Sequence, residues 1–292
     1  MATERARAPR WPVAALLCNA LVWGVSWWPF RQLELRGLHP LWATALIYAL
    51  AALVIGVLRP VAWRTLWRTP ALWPLLLAAG ATNACFNWGV TVGDVVRVVL
   101  LFYLMPLWSV LLARLLLAEP MKAAALARAG LAVAGAAVLL WPAGGGLPLP
   151  RNAPEWLAVL GGASFALNNV LLRRLAAQPG EARALAMFLG GATVAGALAA
   201  GLSLHGALPW PPAPAAGWVT GALLMGAAFL ASNLALQFGA ARLPASTTAV
   251  VMVSEVLFAT VSALLLGAGR LTPALLAGGA LIVAAALLAS RG

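Results

Sequence analysis

Residues 95–117 read VVRVVLLFYLMPLWSVLLARLLL: twenty-three positions with two arginines and no acid. The run exceeds what a helix in a soluble core needs and meets the roughly 20 apolar residues required to cross a bilayer's hydrocarbon. Similar runs flank it on both sides. Before it come Trp11–Phe30, Leu41–Leu58 and Ala71–Val92; after it come Ala123–Trp141, Glu155–Leu172, Ala184–Leu204, Ala216–Ala240, Ser246–Leu266 and Pro273–Ala289. Proline and arginine mark the breaks, as at Arg59-Pro60, Thr69-Pro70, Glu119-Pro120 and Pro209-Trp210-Pro211-Pro212. Ten spanning helices with short loops consume the 292 residues and leave no room for a soluble catalytic domain.

Composition agrees. The chain is 63% hydrophobic and 9% charged, with mean hydropathy +0.94, whereas soluble domains carry about a quarter charged residues. Its net charge of +12 has a topological reading before a nucleic-acid one, because the loops on one side of a membrane protein gather Lys and Arg. With the N-terminus inside, 14 of the 19 basic residues fall on the cytoplasmic side, and Arg31, Arg36, Arg97, Arg151 and Arg270 on the other. Both termini are therefore expected in the cytoplasm of a bacterial-type inner membrane. The first run, behind Arg5, Arg7 and Arg10, is long for a signal-peptide core and reads as an uncleaved first helix. Cys18 and Cys85 sit in apolar runs, and His39 and His205 stand alone, so no metal or cofactor is expected. Phosphate loops, nucleophile elbows and zinc motifs are absent.

The chain also resembles itself. Leu115–Glu119 through Gly130 and Gly135 echoes Leu264–Ala268 through Gly279 and Ala284 at an offset of 149. Asn83, Asn87 and Gly89 match Asn233, Gln237 and Gly239 at 150; Pro12, Arg31 and Leu33 match Pro154, Arg173 and Leu175 at 142. These matches divide the chain into a first half, 1–141, a Gly/Pro-rich connector, 142–154, and a second half, 155–292. A second copy that begins after five crossings enters the membrane from the opposite side. The expected fold is thus all-α integral membrane: ten transmembrane helices as two inverted five-helix repeats around a central cavity.

Pro106, Leu115-Leu116-Leu117-Ala118-Glu119, Gly130 and Gly135, with Leu264-Leu265-Leu266-Gly267, Gly278 and Gly279 in the second copy, resemble the EamA repeat of the drug/metabolite transporter superfamily. Ala20-Leu21-Val22-Trp23-Gly24 looks like that family's opening, and the whole string resembles its YddG-type amino-acid exporters. The resemblance implies ten helices, inverted repeats and a central substrate cavity. Ala268 stands where the pattern has Glu, and Glu255 where it has Pro.

Polar residues inside spans are costly, so they face a cavity or bond a neighbouring helix. Trp23, Ser26 and Trp27 share a face of the first helix with Asn19 and Phe30. Asn83 and Asn87 align in the third, Phe229, Asn233 and Gln237 in the eighth, and Phe165 lies beside Asn168 in the sixth. Cavity lining and interhelical bonding are both open to each. Glu255 is the acid in the interior of a span, opposite Pro106 under the 149 offset. It could meet a substrate ammonium, exchange a proton, or sit protonated on a neighbouring carbonyl. Tyr103 lies beside Pro106, whose bland role is a kink and sharper role a gate. Arg97 reads as an ion pair with Asp94 one turn earlier, or as a gate for carboxylates.

Together these readings predict a secondary transporter exporting neutral or aromatic amino acids by alternating access, monomer sufficient, with neither nucleic acid nor cofactor. Drug or other small-metabolite export is the nearer alternative. A membrane-embedded enzyme or receptor-like scaffold is the farther one, since one Glu does not make a catalytic cluster.

Overall fold

The computed structural model describes residues 10–118, 123–141, 147, 149–240, 242, 251–252 and 254–289. Arg5, Arg7, Glu119, Pro120, Lys122, Arg291, the expected start of the ninth run at Ser246 and much of the 142–154 connector lie outside the described residues. So do the side chains of Pro106 and Gln237.

Among the described residues every regular element is a helix. They are α1 (Arg10–Val25), α2 (Trp27–Glu34), α3 (Pro40–Leu58), α4 (Val61–Arg68), α5 (Leu72–Val92), α6 (Val95–Phe102) and α7 (Met105–Leu117), then α8 (Ala123–Leu140), α9 (Ala153–Arg174), α10 (Gly180–Leu204), α11 (Ala216–Ala240), α12 (Ser254–Leu265) and α13 (Pro273–Ala289). Eight stretches are long and apolar enough to cross a membrane: Trp11–Glu34, Pro40–Leu58, Leu72–Val92, Val95–Leu117, Ala123–Leu140, Ala153–Arg174, Gly180–Leu204 and Ala216–Leu236. Ser254–Leu265 and Pro273–Ala285 are shorter apolar helices in the last two expected runs. Leu53, Val57, Leu77, Leu224, Leu234 and Leu257 stay exposed, the surface that lipid covers in a multi-pass membrane protein.

Two runs read as single helices are each broken. Ser26 separates α1 from α2, because Pro29 has no N–H to give the Val25 carbonyl. The fourth run breaks at Tyr103 and Leu104, and Pro106 takes the second position of α7, where a missing N–H costs nothing. The carbonyl that Pro106 frees, on Phe102, lies against Gly162 of α9, so close that a side chain there would collide with it. The kink expected at Pro106 is therefore a helix restart, and α9 uses the freed backbone as a contact.

The core follows from which helices touch. α5 lies against both α9 and α10, α3 packs on α10, and α1 runs between α11 and α12. α9 contacts α6 and α7, α11 contacts α3, and α8 pairs with α13. The last pair crosses at Gly135 and Gly278, where a Cβ added to either would stand 2.6 Å from the other's carbonyl oxygen. Elsewhere the added Cβ of Gly239 would be 2.8 Å from the Pro12 carbonyl, and that of Gly89 3.4 Å from the Pro154 carbonyl.

Candidate functional site

Aromatic rings from seven helices meet in mid-bundle. Trp23 of α1 stacks on Phe229 of α11, centroids 4.7 Å apart, and turns its edge to Phe86 of α5 at 6.4 Å. Phe229 continues to Tyr48 of α3 at 5.8 Å and thence to Phe188 of α10 at 5.6 Å. In the other direction Phe86 meets Phe102 of α6 at 4.8 Å, and Phe102 meets Phe165 of α9 at 5.4 Å. Such contacts are worth about 0.5–1.5 kcal/mol each beyond the area they bury. The chain of rings joins α1, α3, α5 and α6 to α9, α10 and α11.

Beside it lies the interior carboxylate. Glu255, in the first turn of α12, accepts from the Tyr103 hydroxyl at 3.3 Å; the same hydroxyl stands 3.4 Å from the Met252 carbonyl oxygen. Gly24 lets α1 reach this turn: a Cβ there would stand 2.8 Å from the Glu255 carbonyl and 2.7 Å from Phe258 Cβ. One turn along, Trp27 is buried and its indole N–H donates to Ser262 Oγ at 2.9 Å. Tyr103, Glu255, Trp23 and Trp27 thus gather where α1, α12 and the break between α6 and α7 converge.

The remaining polar residues divide by partner. Ser26 donates to the Trp23 carbonyl at 2.8 Å, within its own chain segment. Asn83 accepts from the Tyr48 hydroxyl at 2.6 Å, and Asn87 donates to Thr44 Oγ1 at 3.1 Å. Asn19 donates to Ser232 Oγ at 2.6 Å. Asn168 is buried beside Asn169, and Asn233 is half-buried on α11. Asn19, Asn87 and Asn168 each leave a buried side-chain carbonyl oxygen with no hydrogen-bond partner. An unmet buried acceptor costs about 1–3 kcal/mol, so each is an acceptor a ligand's N–H could satisfy.

A separate ionic cluster joins the α5–α6 turn to the start of α9. Arg97 does not pair with Asp94, which instead caps α6 by accepting the Arg97 backbone N–H at 2.9 Å. The guanidinium reaches across to Glu155, Nε to Oε1 at 2.6 Å, an ion pair whose angle departs from a linear hydrogen bond. Glu155 is only 5% exposed and also accepts from the Arg151 N–H at 2.8 Å and Asn152 Nδ2 at 3.3 Å. Val92, Asp94, Arg97, Asn152 and Glu155 line a cavity of about 360 Å³. Nearby, Arg31 stacks 5.0 Å over Trp27 and donates to the carbonyls of Thr91, at 2.8 Å, and Gly93. That ties α2 to the end of α5.

Sequence reading placed Phe229 on the Asn233 face of α11, and the structure puts its ring in the chain; it missed Phe86, Phe102, Phe188, Tyr48, Ser232 and Ser262. The rings among these carry nothing that separates one facing inward from one facing lipid.

The fold and site define a multi-pass helical membrane protein with aromatic and polar side chains converging inside its bundle. The comparisons narrow this: residues 10–141 match the EamA-like transporter family. The match covers 132 of the 292 residues, the first part of the chain. No curated protein matches the chain. A solved protein crystal structure shares the fold, with TM-score 0.57 over 95% of this chain and 96% of that one at 20% identity.

Proposed function

We propose that the chain is a secondary transporter of the bacterial-type inner membrane, exporting neutral or aromatic amino acids by alternating access between two inverted halves. The reading rests above all on one observation, the Tyr103–Glu255 contact beside Trp23 and Trp27. A lone interior carboxylate with a hydroxyl and aromatic faces suits an ammonium carried on an apolar body. The orphaned amide oxygens of Asn19, Asn87 and Asn168 would take further N–H groups, and Arg97, at the non-cytoplasmic end, would meet a departing carboxylate.

The inverted repeat is supported by packing that survives exchange of the halves. Contact of α1 with α11 becomes contact of α9 with α5; α1 on α12 becomes α9 on α6 and α7; α11 on α3 becomes α5 on α10. Gly239 against Pro12 and Gly89 against Pro154 are the residue pairs related by the offsets of 150 and 142. Trp23 and Phe165, both in the ring chain, are also 142 apart. The arginine-rich side, by charge bias, is the cytoplasm.

Export of drugs or other small metabolites is the second reading, favoured by the many rings and single carboxylate, which would accept any amine with an apolar body. Counterflow in proteoliposomes with a broad amino-acid panel, and with lipophilic amines in parallel, separates the two. Flux for amines alone would replace the first reading with the second. Flux for neither would remove both.

A further inference from the structure

α6 is an eight-residue segment between the Gly93–Asp94 turn and the break at Tyr103 and Leu104. Its outer end is tied to neighbours on two sides. Arg97 pairs with Glu155 at the start of α9, and Arg31 of α2 holds the carbonyls of Thr91 and Gly93 just before the turn. Each of the four helices joined in this way carries a ring deeper in the bundle: Trp27 on α2, Phe86 on α5, Phe102 on α6 and Phe165 on α9. At 1.5 Å per residue along their helices, Phe102 lies about 7.5 Å and Phe165 about 15 Å inward of the ion pair.

The pair has room to part. Arg97 is 29% exposed, and both side chains border the cavity of about 360 Å³ walled by Val92, Val98 and Pro154. The pair is also one-sided. Under the inverted-repeat reading the two ends of the bundle are equivalent, and the offsets of 142 and 150 set Val13 opposite Glu155 and Thr247 opposite Arg97. Those two positions cannot form the matching ion pair. Parting Arg97 from Glu155 leaves a buried carboxylate without its counter-charge, so the state open at the α6 end is the costlier of the two.

We propose that the Arg97–Glu155 pair is a one-sided latch. It holds the non-cytoplasmic mouth above the ring chain shut, biases the resting protein towards the state that loads from the cytoplasm, and parts once in each cycle. The inference rests on the alternating-access reading, in which two inverted halves alone would leave the two states equal in energy.

Thiol labelling of the purified full chain in detergent tests the latch without any cargo. Both free cysteines are first removed, as Cys18→Ala and Cys85→Ala. Val159→Cys then reports from the Glu155 face of α9 one turn inward, and Leu171→Cys from a buried position at the far end of that helix. Arg97→Gln/Glu155→Gln should speed maleimide labelling at position 159 at least threefold and leave position 171 no faster. Unchanged labelling at 159, or an equal rise at both positions, would overturn the latch. Should the double variant not fold, Glu155→Gln alone should give the same contrast, and its absence would count against the proposal equally. In proteoliposomes, Arg97→Cys/Glu155→Cys bridged by a short bifunctional thiosulfonate should lose counterflow at least fivefold and regain it on reduction. Full flux in the bridged protein would show that the pair never parts, and would overturn the latch. Absence of flux before bridging, with labelling as expected, would remove the cargo reading and leave the latch standing.

Discussion

Arg97→Gln should be the most destabilising single change at the polar end of the bundle, and more so than Glu155→Gln. The ion pair spans 2.6 Å, with Arg97 29% and Glu155 6% exposed at their side chains. At an effective dielectric of about 20 a pair this close attracts by roughly 6 kcal/mol before desolvation is counted. Removing one partner of a buried pair costs about 3–5 kcal/mol, because the other charge is stranded. The two partners are not equivalent. Without Arg97, the buried Glu155 carboxylate keeps just the Arg151 N–H and Asn152; without the Glu155 charge, Arg97 can turn towards solvent. The expectation is about 3 kcal/mol for Arg97→Gln and about 1 kcal/mol for Glu155→Gln. The larger loss corresponds to a midpoint shift of roughly 6–12 °C at the scaling found for domains of comparable size. The double variant should recover most of the Arg97→Gln loss, since no charge is left buried. Thermal unfolding of the four proteins in one detergent measures all of this. A double variant as unstable as Arg97→Gln, or single variants indistinguishable from wild type, would refute the stranded-charge reasoning.

Trp23→Ala and Phe229→Ala should each destabilise, and a double-mutant cycle should give a coupling of about 0.5–1.5 kcal/mol; a coupling near zero would place the rings out of contact in solution. Gly162→Leu should abolish recovery of folded protein in size-exclusion profiles, because its side chain meets the Phe102 carbonyl, while Gly130→Leu, in open space, should not. His39 caps α3 outside the spans, accepting the Leu41 N–H on Nδ1 at 3.2 Å, and burial lowers its pKa. The cap needs the neutral ring, so its stabilisation is complete above the ordinary histidine value of about 6.5 and is lost as pH falls through the lowered folded value. His39→Asn, an acceptor that does not titrate, should flatten that part of the stability–pH curve.

The membrane class was legible because lipid demands long apolar runs with charges expelled to their ends, and residues 95–117 state that demand openly. Close backbone approach left a trace in the sequence: Gly89 and Gly239, matched to each other by offset as Pro12 is to Pro154, lie in the fold with each glycine against one of the two proline carbonyls. Helix breaks were not, since Pro29 and Pro106 look alike whether they bend a helix or restart one. Arg97 found Glu155, 58 positions on, because a long side chain samples neighbouring helices that spacing along its own cannot reveal. The ring chain was hidden for a related reason. In lipid, phenylalanines facing in and out are equally apolar, and only the packing of α1, α5, α9 and α11 sorts them. Tyr103 and Glu255 stood out because a hydroxyl and a carboxylate in a span need partners, and in the structure they partner each other.

The central claim is that cargo passes the Tyr103–Glu255 contact. Its most direct test is amino-acid counterflow in proteoliposomes carrying wild-type protein or Glu255→Gln, at matched insertion and matched elution profile. The account predicts saturable, substrate-dependent flux for the wild type and at least a tenfold loss for the variant. Equal flux in the two, with the same dependence on pH, would contradict it.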